Sequence, residues 1–392
     1  MKVTLIAPLP PIKAISPYCI HLARALSKNV NLEVISFRRI IPEGFYSGGT
    51  LEKGVKFKDI ENAEVKNILT WYNPLSYITA GLKSKGDIIH IQHWELYSSL
   101  VYMIILPLIK LRSKKIVITI HNITPHIEGK LINIIYKLIN KFIFSFANGI
   151  IVHNKRNKEK LIQLFKIDEK KIYIIGHGVL KPETKTKNIS KKHAQELLNI
   201  PLNKKILLFF GYIWDYKGLD ILLRSLNIIK SQVPNIVLCI AGQPLKFRKA
   251  WNKYQKIIDD YNLHDYVIKK LEYIPDSKVE LYFSASDLVV LPYKKPFDTH
   301  GGVAALSLYF KKPLVVTDIG GLPEFIKDKR ALCFTDDVED LAKKIINILK
   351  SKYLLFKLSK DSEELNKELT WELIATKTTD IYNKVANNVL SS

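Results

Sequence analysis

Cysteine is scarce. Only Cys19, Cys239 and Cys333 occur in 392 residues, far apart and with no CxxC pair. A disulfide framework or a zinc ribbon is therefore not expected, and a reducing compartment is. Long apolar runs are missing too. The longest, Leu100 to Ile109, contains Pro107 and stops at Lys110, short of the roughly 20 residues that a membrane span needs. The N-terminal run Met1 to Ala7 meets Pro8, Pro10 and Pro11 at once, unlike a signal peptide. Acidic residues are few: 37 Asp and Glu face 60 Lys and Arg, a formal charge of +23. Such a surface attracts nucleic acid, anionic lipid or phosphate-bearing substrates, or is simply a solvated lysine coat; the charge alone does not choose. No nucleic-acid module or aromatic-interleaved basic motif is present, so no nucleic-acid partner is expected. No GxGxxG follows a strand, which argues against a Rossmann dehydrogenase. No histidine pair has a third ligand at metal spacing and no Asp-x-Asp is placed for a metal, so neither metal nor cofactor is expected. The expected location is cytoplasmic, with contact at the inner face of a membrane left open.

What is present is an alternation of short apolar strands and helices. Strands are expected at Val3–Ala7, Leu32–Phe37, Asp87–Gln92, Lys115–Ile120, Gly149–Val152 and Lys171–Ile175. Ser16-Pro17 reads as a helix N-cap followed by proline at the first helical position. The pattern restarts with strands at Lys205–Phe210, Ile236–Ala241, Tyr266–Leu271, Leu288–Leu291 and Pro313–Val316, and a helix over Asp220–Ile229. Fully apolar strands separated by helices predict parallel sheets covered on both faces. The stretch Val179 to Lys205, rich in Lys, Thr, Asn and Pro, reads as a linker. Three segments are expected: 1–180, 181–370, and a final helix within 371–392.

In open parallel sheets ligands bind beyond the carboxyl ends of the strands. The strongest candidate is therefore Leu291 to Leu306, where a strand ends, a polar loop carries Asp298 and His300, and Gly301-Gly302-Val303 open a helix. Paired glycines admit a ligand to the free N–H groups of a first helical turn, an anion or hydroxyl cradle; a plain strand-to-helix turn would use them equally. A second candidate is Phe210 to Gly218, with Tyr212 and a Lys217-Gly218 pair before a helix. A lysine there can neutralise a leaving diphosphate, although lysines are common everywhere on this chain. The third is His121-Asn122 at a strand end, able to meet a substrate hydroxyl or merely to cap the next segment. Asp336-Asp337 reads as a helix cap.

These residues resemble a family. Lys217-Gly218-Leu219-Asp220-Ile221-Leu222-Leu223, the strand Ser284 to Tyr293, and Val315-Val316-Thr317-Asp318-Ile319-Gly320-Gly321-Leu322-Pro323-Glu324 are similar to the C-terminal signature of family 4 (group 1) glycosyltransferases with the GT-B fold. Ile118 to Asn122 resembles the acceptor-side histidine of that family, Ile175 to Val179 its inter-domain crossing, and the helix with Trp371 and Tyr382 the one that packs back on the first domain. The resemblance implies an α/β fold of two Rossmann-like parallel-sheet domains facing across a cleft, the first acceptor-binding and the second nucleotide-sugar-binding. It implies a retaining, metal-independent hexosyltransferase using a UDP- or GDP-sugar and a glycan or lipid-linked acceptor. His121 and Asp298 would be catalytic. Ser16, Tyr212, Lys217, His300, Gly301, Gly302, Val303 and Glu324 would bind substrate. The chain departs from the family where Glu-x7-Glu becomes Asp298 and Leu306, where Tyr212 and Trp214 stand in place of a cationic partner to Lys217, and where Lys13-Ala14-Ile15-Ser16 replaces a glycine pair. The departures keep a second reading in play, a non-catalytic GT-B scaffold or sugar-nucleotide-binding subunit.

Gly129 to Ala147 is amphipathic, with Lys130, Lys137 and Lys141 on one side and large apolar residues elsewhere. It reads either as a helix packed on the first sheet with a lysine edge or as one lying at an anionic bilayer.

Overall fold

The computed structural model describes residues 1–9, 15–39, 60–94, 96–123, 130–182, 187–244, 249–295, 297 and 301–387. The chain divides into two compact units, Met1–Gly178 with Leu369–Ser392, and Val179–Glu368.

The first unit runs β1 (Lys2–Ile6), α1 (Ser16–Leu26), β2 (Asn31–Arg39), β3 (Ala63–Thr70), α2 (Pro74–Lys83), β4 (Ile88–His93), α3 (Leu96–Leu111), β5 (Lys115–Ile120), α4 (Lys130–Ser145), β6 (Gly149–Val152), α5 (Lys155–Phe165) and β7 (Ile172–Ile174). Its seven strands lie in the order β3-β2-β1-β4-β5-β6-β7, and every pair is parallel. The second unit runs α6 (Lys191–Leu198), β8 (Lys205–Phe210), α7 (Leu219–Gln232), β9 (Ile236–Ala241), α8 (Lys249–Asp260), β10 (Val267–Lys270), α9 (Asp276–Ala285), β11 (Leu288–Leu291), α10 (Gly302–Tyr309), β12 (Leu314–Thr317), β13 (Leu332–Cys333), α11 (Val338–Lys350) and α12 (Lys352–Glu368). Its strand order is β10-β9-β8-β11-β12-β13, again parallel throughout. Helix α13 (Trp371–Ala386) returns to the first unit and packs on α1.

Both sheets have the doubly wound order in which the chain starts centrally, winds to one edge, then returns past its start to the other. The β-branched and leucine-rich strands β4, β6, β9, β11 and β12 are buried along their whole length, as expected of strands with helices on both faces. In the first unit one core joins Ile89, Ile91, Ile118 and Ile150 of the strands to Tyr77, Tyr102, Ile105 and Phe144 of α2, α3 and α4.

Four local differences from the sequence reading have physical causes. Ser16 is not the cap of α1: Ile15 holds that position, no side chain caps the helix, and Ser16 is already helical and buried. Proline in the first turn needs no such cap, because its missing N–H would have had no helical partner. The Val179–Lys205 stretch contains α6, started by Ser190 Oγ accepting from His193 N at 3.2 Å and packed on α9. Strand β3 is an edge strand, partly exposed over most of its length without regular alternation, so its sequence shows no strand pattern. Its Lys66 ammonium donates at 2.7 Å to Glu33, a buried carboxylate that also accepts from Thr4 Oγ1 at 2.6 Å and Lys85 N at 2.8 Å. Strand β13 has two residues, too few for any pattern. The Asp337 cap does form, accepting from Asp340 N at 2.8 Å.

The hold of α13 rests on Trp371 and Tyr382, both buried. A Cβ on Gly178 would come within 2.6 Å of the Trp371 indole, so this glycine exists to let the ring in. Replacing Trp371 by Ala should lower the stability of the first unit by about 3–5 kcal/mol, measured by urea unfolding of the full chain. An unchanged midpoint would show that α13 is not integral to that unit.

Candidate functional site

In the second unit the switch in winding direction falls between β8 and β11, and the sequence candidates follow these two strands. After β8 comes Gly211, with φ +90°. Tyr212 is half-buried and its ring centroid lies 6.3 Å from that of Tyr273. A single 3-10 turn over Asp215–Lys217 then ends at Gly218, φ +67°, where α7 begins. A Cβ on Gly218 would fall 1.8 Å from Pro292 O; only glycine allows the loops after β8 and β11 to press together here.

Lys217 is buried, 7% exposed. A Cβ on Gly211 would lie 3.1 Å from Lys217 Nζ and 3.6 Å from Val303 Cγ2. The end of β8, the Lys217 ammonium and the first turn of α10 therefore meet at one point. Among the described residues this ammonium makes no hydrogen bond or ion pair. The Tyr293 ring centroid lies 5.8 Å away. Burial pushes its pKa down from 10.5 to about 8. A cation kept from water without a counter-charge is unfavourable unless an anion joins it.

Helix α10 opens on the N-cap Gly301 with no side-chain cap. The amides of Gly302 and Val303 are thus left for a ligand or water, at the positive end of the helix dipole. Gly301 is also a packing residue: a Cβ there would lie 2.9 Å from Leu322 Cδ2. Leu322 starts the short turn Leu322–Phe325 that carries Glu324, exposed, behind the first turn of α10. Asp298 and His300 lie outside the described residues.

Residues not singled out from the sequence hold Lys217 in place. Tyr216 stacks on Phe297 at 5.7 Å, and Tyr293 meets both rings edge-on. Lys294 N donates to Tyr216 O at 2.6 Å, and its ammonium reaches Asp220 at 3.2 Å and Asp215 at 3.4 Å. Thr317 Oγ1 donates to Tyr293 O at 2.7 Å. The density of tyrosine around Lys217 was the available signal in the sequence.

In the first unit His121 follows β5 and is buried. Tyr18, on the first turn of α1 beside Ser16, meets it edge-on at 4.7 Å and touches His153, His177 and Trp371 similarly. Both His121 ring nitrogens have protein partners: Nε2 lies 2.9 Å from the Gln92 amide and Nδ1 3.2 Å from His153 Nε2. Beyond Gln92 the chain continues to His90 Nε2 at 3.1 Å, and His90 Nδ1 lies 2.6 Å from Tyr382 Oη.

Burial lowers the His90 pKa to about 3 and that of His153 to about 4, so both are neutral at pH 7. His153 Nδ1 faces Ile175 O at 2.9 Å and must carry its proton. Its Nε2 is then an acceptor, and His121 Nδ1–H donates to it. The Gln92 amide decides what His121 Nε2 carries: its NH2 end leaves a bare acceptor, its oxygen end requires a proton there. The structure sets the Gln92 oxygen towards His121; with the amide reversed the chain is satisfied with neutral rings, the oxygen accepting from His90 Nε2–H, which also faces Thr119 Oγ1 at 2.7 Å, and His90 Nδ1 accepting from Tyr382 O–H.

Two family models match. Glycosyltransferase Family 4 covers residues 15–179, and Glycosyl transferases group 1 covers residues 190–368. The chain belongs to the group 1, family 4 glycosyltransferases. Among curated relatives, D-inositol 3-phosphate glycosyltransferase of Mycolicibacterium smegmatis is 28% identical over 229 residues, 57% of this chain and 50% of that protein. The phosphatidylinositol N-acetylglucosaminyltransferase GPI3 subunit of Saccharomyces cerevisiae is 22% identical over 260 residues, 64% of this chain and 54% of that protein. The chain thus matches only about half the length of these relatives. Among solved structures, sucrose-phosphate synthase from Thermosynechococcus elongatus superposes with TM-score 0.72 at 19% identity, covering 99% of this chain and 100% of that one. Anabaena HepE in complex with UDP-glucose gives 0.71 at 16%, covering 99% and 100%. At these identities the likeness concerns the fold, which is GT-B.

Two outcomes are expected of this site in the group 1 chain. Affinity for inorganic pyrophosphate, a plain anion probe, should weaken as pH rises through about 8, because the depressed Lys217 pKa means the free protein loses the ammonium there; near pH 8, binding should take up protons. Calorimetry in buffers of different ionisation heat measures both, and pH-independent affinity with no uptake between pH 7 and 9 would remove Lys217 from the anion site. Gln92→Glu, whose carboxylate only accepts, should fix a proton on His121 Nε2 and move that nitrogen's resonance, read by nitrogen-detected NMR. No movement would show that Gln92 does not set the His121 proton.

Proposed function

We propose that this chain is a retaining, metal-independent glycosyltransferase that moves a hexose from a UDP- or GDP-sugar to a hydroxyl of a glycan or lipid-linked acceptor. The observation that carries the reading is the buried Lys217 ammonium, unpaired among the described residues, beside the uncapped start of α10. Breaking the bond between an anomeric carbon and a nucleoside diphosphate leaves negative charge on the departing oxygens. A fixed cation and two amides facing that charge stabilise it most in the transition state. The proton released by the acceptor hydroxyl can then pass to the leaving diphosphate, and Asp298 and His121 are the residues assigned to catalysis in this reading. Anabaena HepE, similar in fold, has been solved with UDP and with UDP-glucose, which supports a nucleotide-sugar donor here.

In this reading residues 181–370 hold the donor through Tyr212, Lys217, His300, Gly301, Gly302, Val303 and Glu324. Residues 1–180, with the helix in 371–392, hold the acceptor near Ser16 and His121. Among the described residues no group of three or more His, Cys, Asp or Glu is placed to hold a metal. Leu306, on α10, presents no carboxylate to a ribose, so nucleotide recognition falls on the aromatic and backbone groups nearby. A lipid-linked acceptor would bring the enzyme to the inner face of a membrane. A non-catalytic scaffold is not favoured, since the named relatives are transferases.

The test is a thermal-shift panel of UDP-, GDP- and ADP-sugars, followed by product analysis. One nucleotide class should raise Tm, product should keep the donor's anomeric configuration by NMR, and turnover should survive EDTA. Lys217→Ala should cut kcat/KM by roughly 100-fold or more while leaving Tm without ligand near that of the wild type. Absence of any nucleotide shift, or inverted product, would overturn the reading.

A further inference from the structure

Three neighbouring helices of the first unit carry apolar side chains on the sides turned away from their sheet. Helices α2, α3 and α4 make successive crossovers towards one edge of the parallel sheet, and right-handed crossovers of that direction all fall on one face. Their inner residues share one core with that face, and α3 packs on both of its neighbours. Their outer sides therefore adjoin.

On α2, Leu75, Ile78 and Leu82 fall within an arc of about 60° and are exposed, Leu75 by 70%. On α3, Leu100, Ile104 and Leu111 fall in a similar arc, Leu111 being 81% exposed. On α4, Tyr136, Asn140, Ile143 and Phe144 face inward, while Ile134, Leu138 and Phe142 face water. Trp71 and Tyr72, just before α2, are exposed as well. Scattered apolar residues on a surface are ordinary, but a contiguous patch marks a contact.

The charge selects the partner. None of the three helices contains Asp or Glu, and Lys83, Lys110, Lys137 and Lys141 are exposed on them. Two copies meeting through this face would oppose lysine to lysine. An apolar surface edged by lysines, with tryptophan and tyrosine beside it, matches instead the acyl boundary and the negative headgroups of a bilayer. No helix among the described residues is long and apolar enough to cross one, so the contact is peripheral.

We infer that the outer surface of α2, α3 and α4 seats the protein on an anionic lipid bilayer. The inference deepens the reading of a lipid-linked acceptor, and rests on it for the purpose of the contact. The test is flotation of the full chain, without nucleotide sugar, on vesicles of phosphatidylcholine alone and of phosphatidylcholine with phosphatidylglycerol. The chain should float with the anionic vesicles only, and less at high salt. Ile78→Glu with Leu138→Glu, and separately Lys137→Glu with Lys141→Glu, should each weaken partitioning by about tenfold or more. Melting curves of these surface variants should match the wild type. No flotation, equal flotation of all variants, or a wild-type dimer in light scattering that Leu138→Glu dissociates would overturn the inference, the last assigning the face to a second copy. UDP stabilisation of the same variants reads the transferase separately: its absence with intact flotation would fail the function and not the membrane face.

Discussion

A parallel sheet covered by helices on both faces has no solvated side, so a polar group within its strands must find a partner inside the protein. Glu33 shows the cost: it is tolerated in β2 only because a hydroxyl, an amide and an ammonium converge on it. Groups meant for a ligand are displaced to where the strands end, and the loops there must be close enough to act together. In the second unit that closeness is a glycine matter. Gly218 and Gly242 sit where a Cβ would fall 1.8 Å from Pro292 O and 1.9 Å from Gly211 O, and Gly211 has φ +90°. The loops after β8, β9 and β11 can press together only because these positions lack a Cβ.

The chain carries 60 Lys and Arg, and their surroundings separate Lys217 from two other partly buried lysines. Lys294 is neutralised by Asp215 and Asp220 and works as a strut. Lys312 has a pKa pushed by burial to about 8, as Lys217 has, yet it donates to the carbonyls of Ser284 and Ser286 and so closes the end of α9. Lys217 shares the burial without a polar partner among the described residues. The Tyr293 ring 5.8 Å away offers a cation only weak attraction.

The first unit follows the same rule with uncharged groups. Its buried polar residues form a chain from Tyr382 through His90, Gln92 and His121 to His153, neutral where burial forbids charge. Helix α13, nearly two hundred residues of chain away from the first sheet in sequence, supplies one end of that chain and, through Trp371, the ring that packs on Gly178 and Tyr18. The arrangement of His121 thus depends on a helix that begins only after the second unit is finished.

The sequence by itself determined the strands and their parallel pairing, because runs such as Ile236–Ala241 and Leu288–Leu291 are apolar throughout and can only be buried on both sides. It determined the start of α10, since a glycine pair after a strand end has few other uses, and it pointed to Lys217 and His121 by their places after strands. Edge strand β3 stayed hidden because an edge is half solvated and its pattern breaks. Only the tertiary structure decided that Lys217 has no polar partner among the described residues while Lys294 and Lys312 have theirs, since burial and partners come from residues far apart in the chain. Only it joined Gln92 to His121, and only it set the leucines of α2, α3 and α4 side by side, because three separate stripes become one surface when the sheet brings their helices into a single layer.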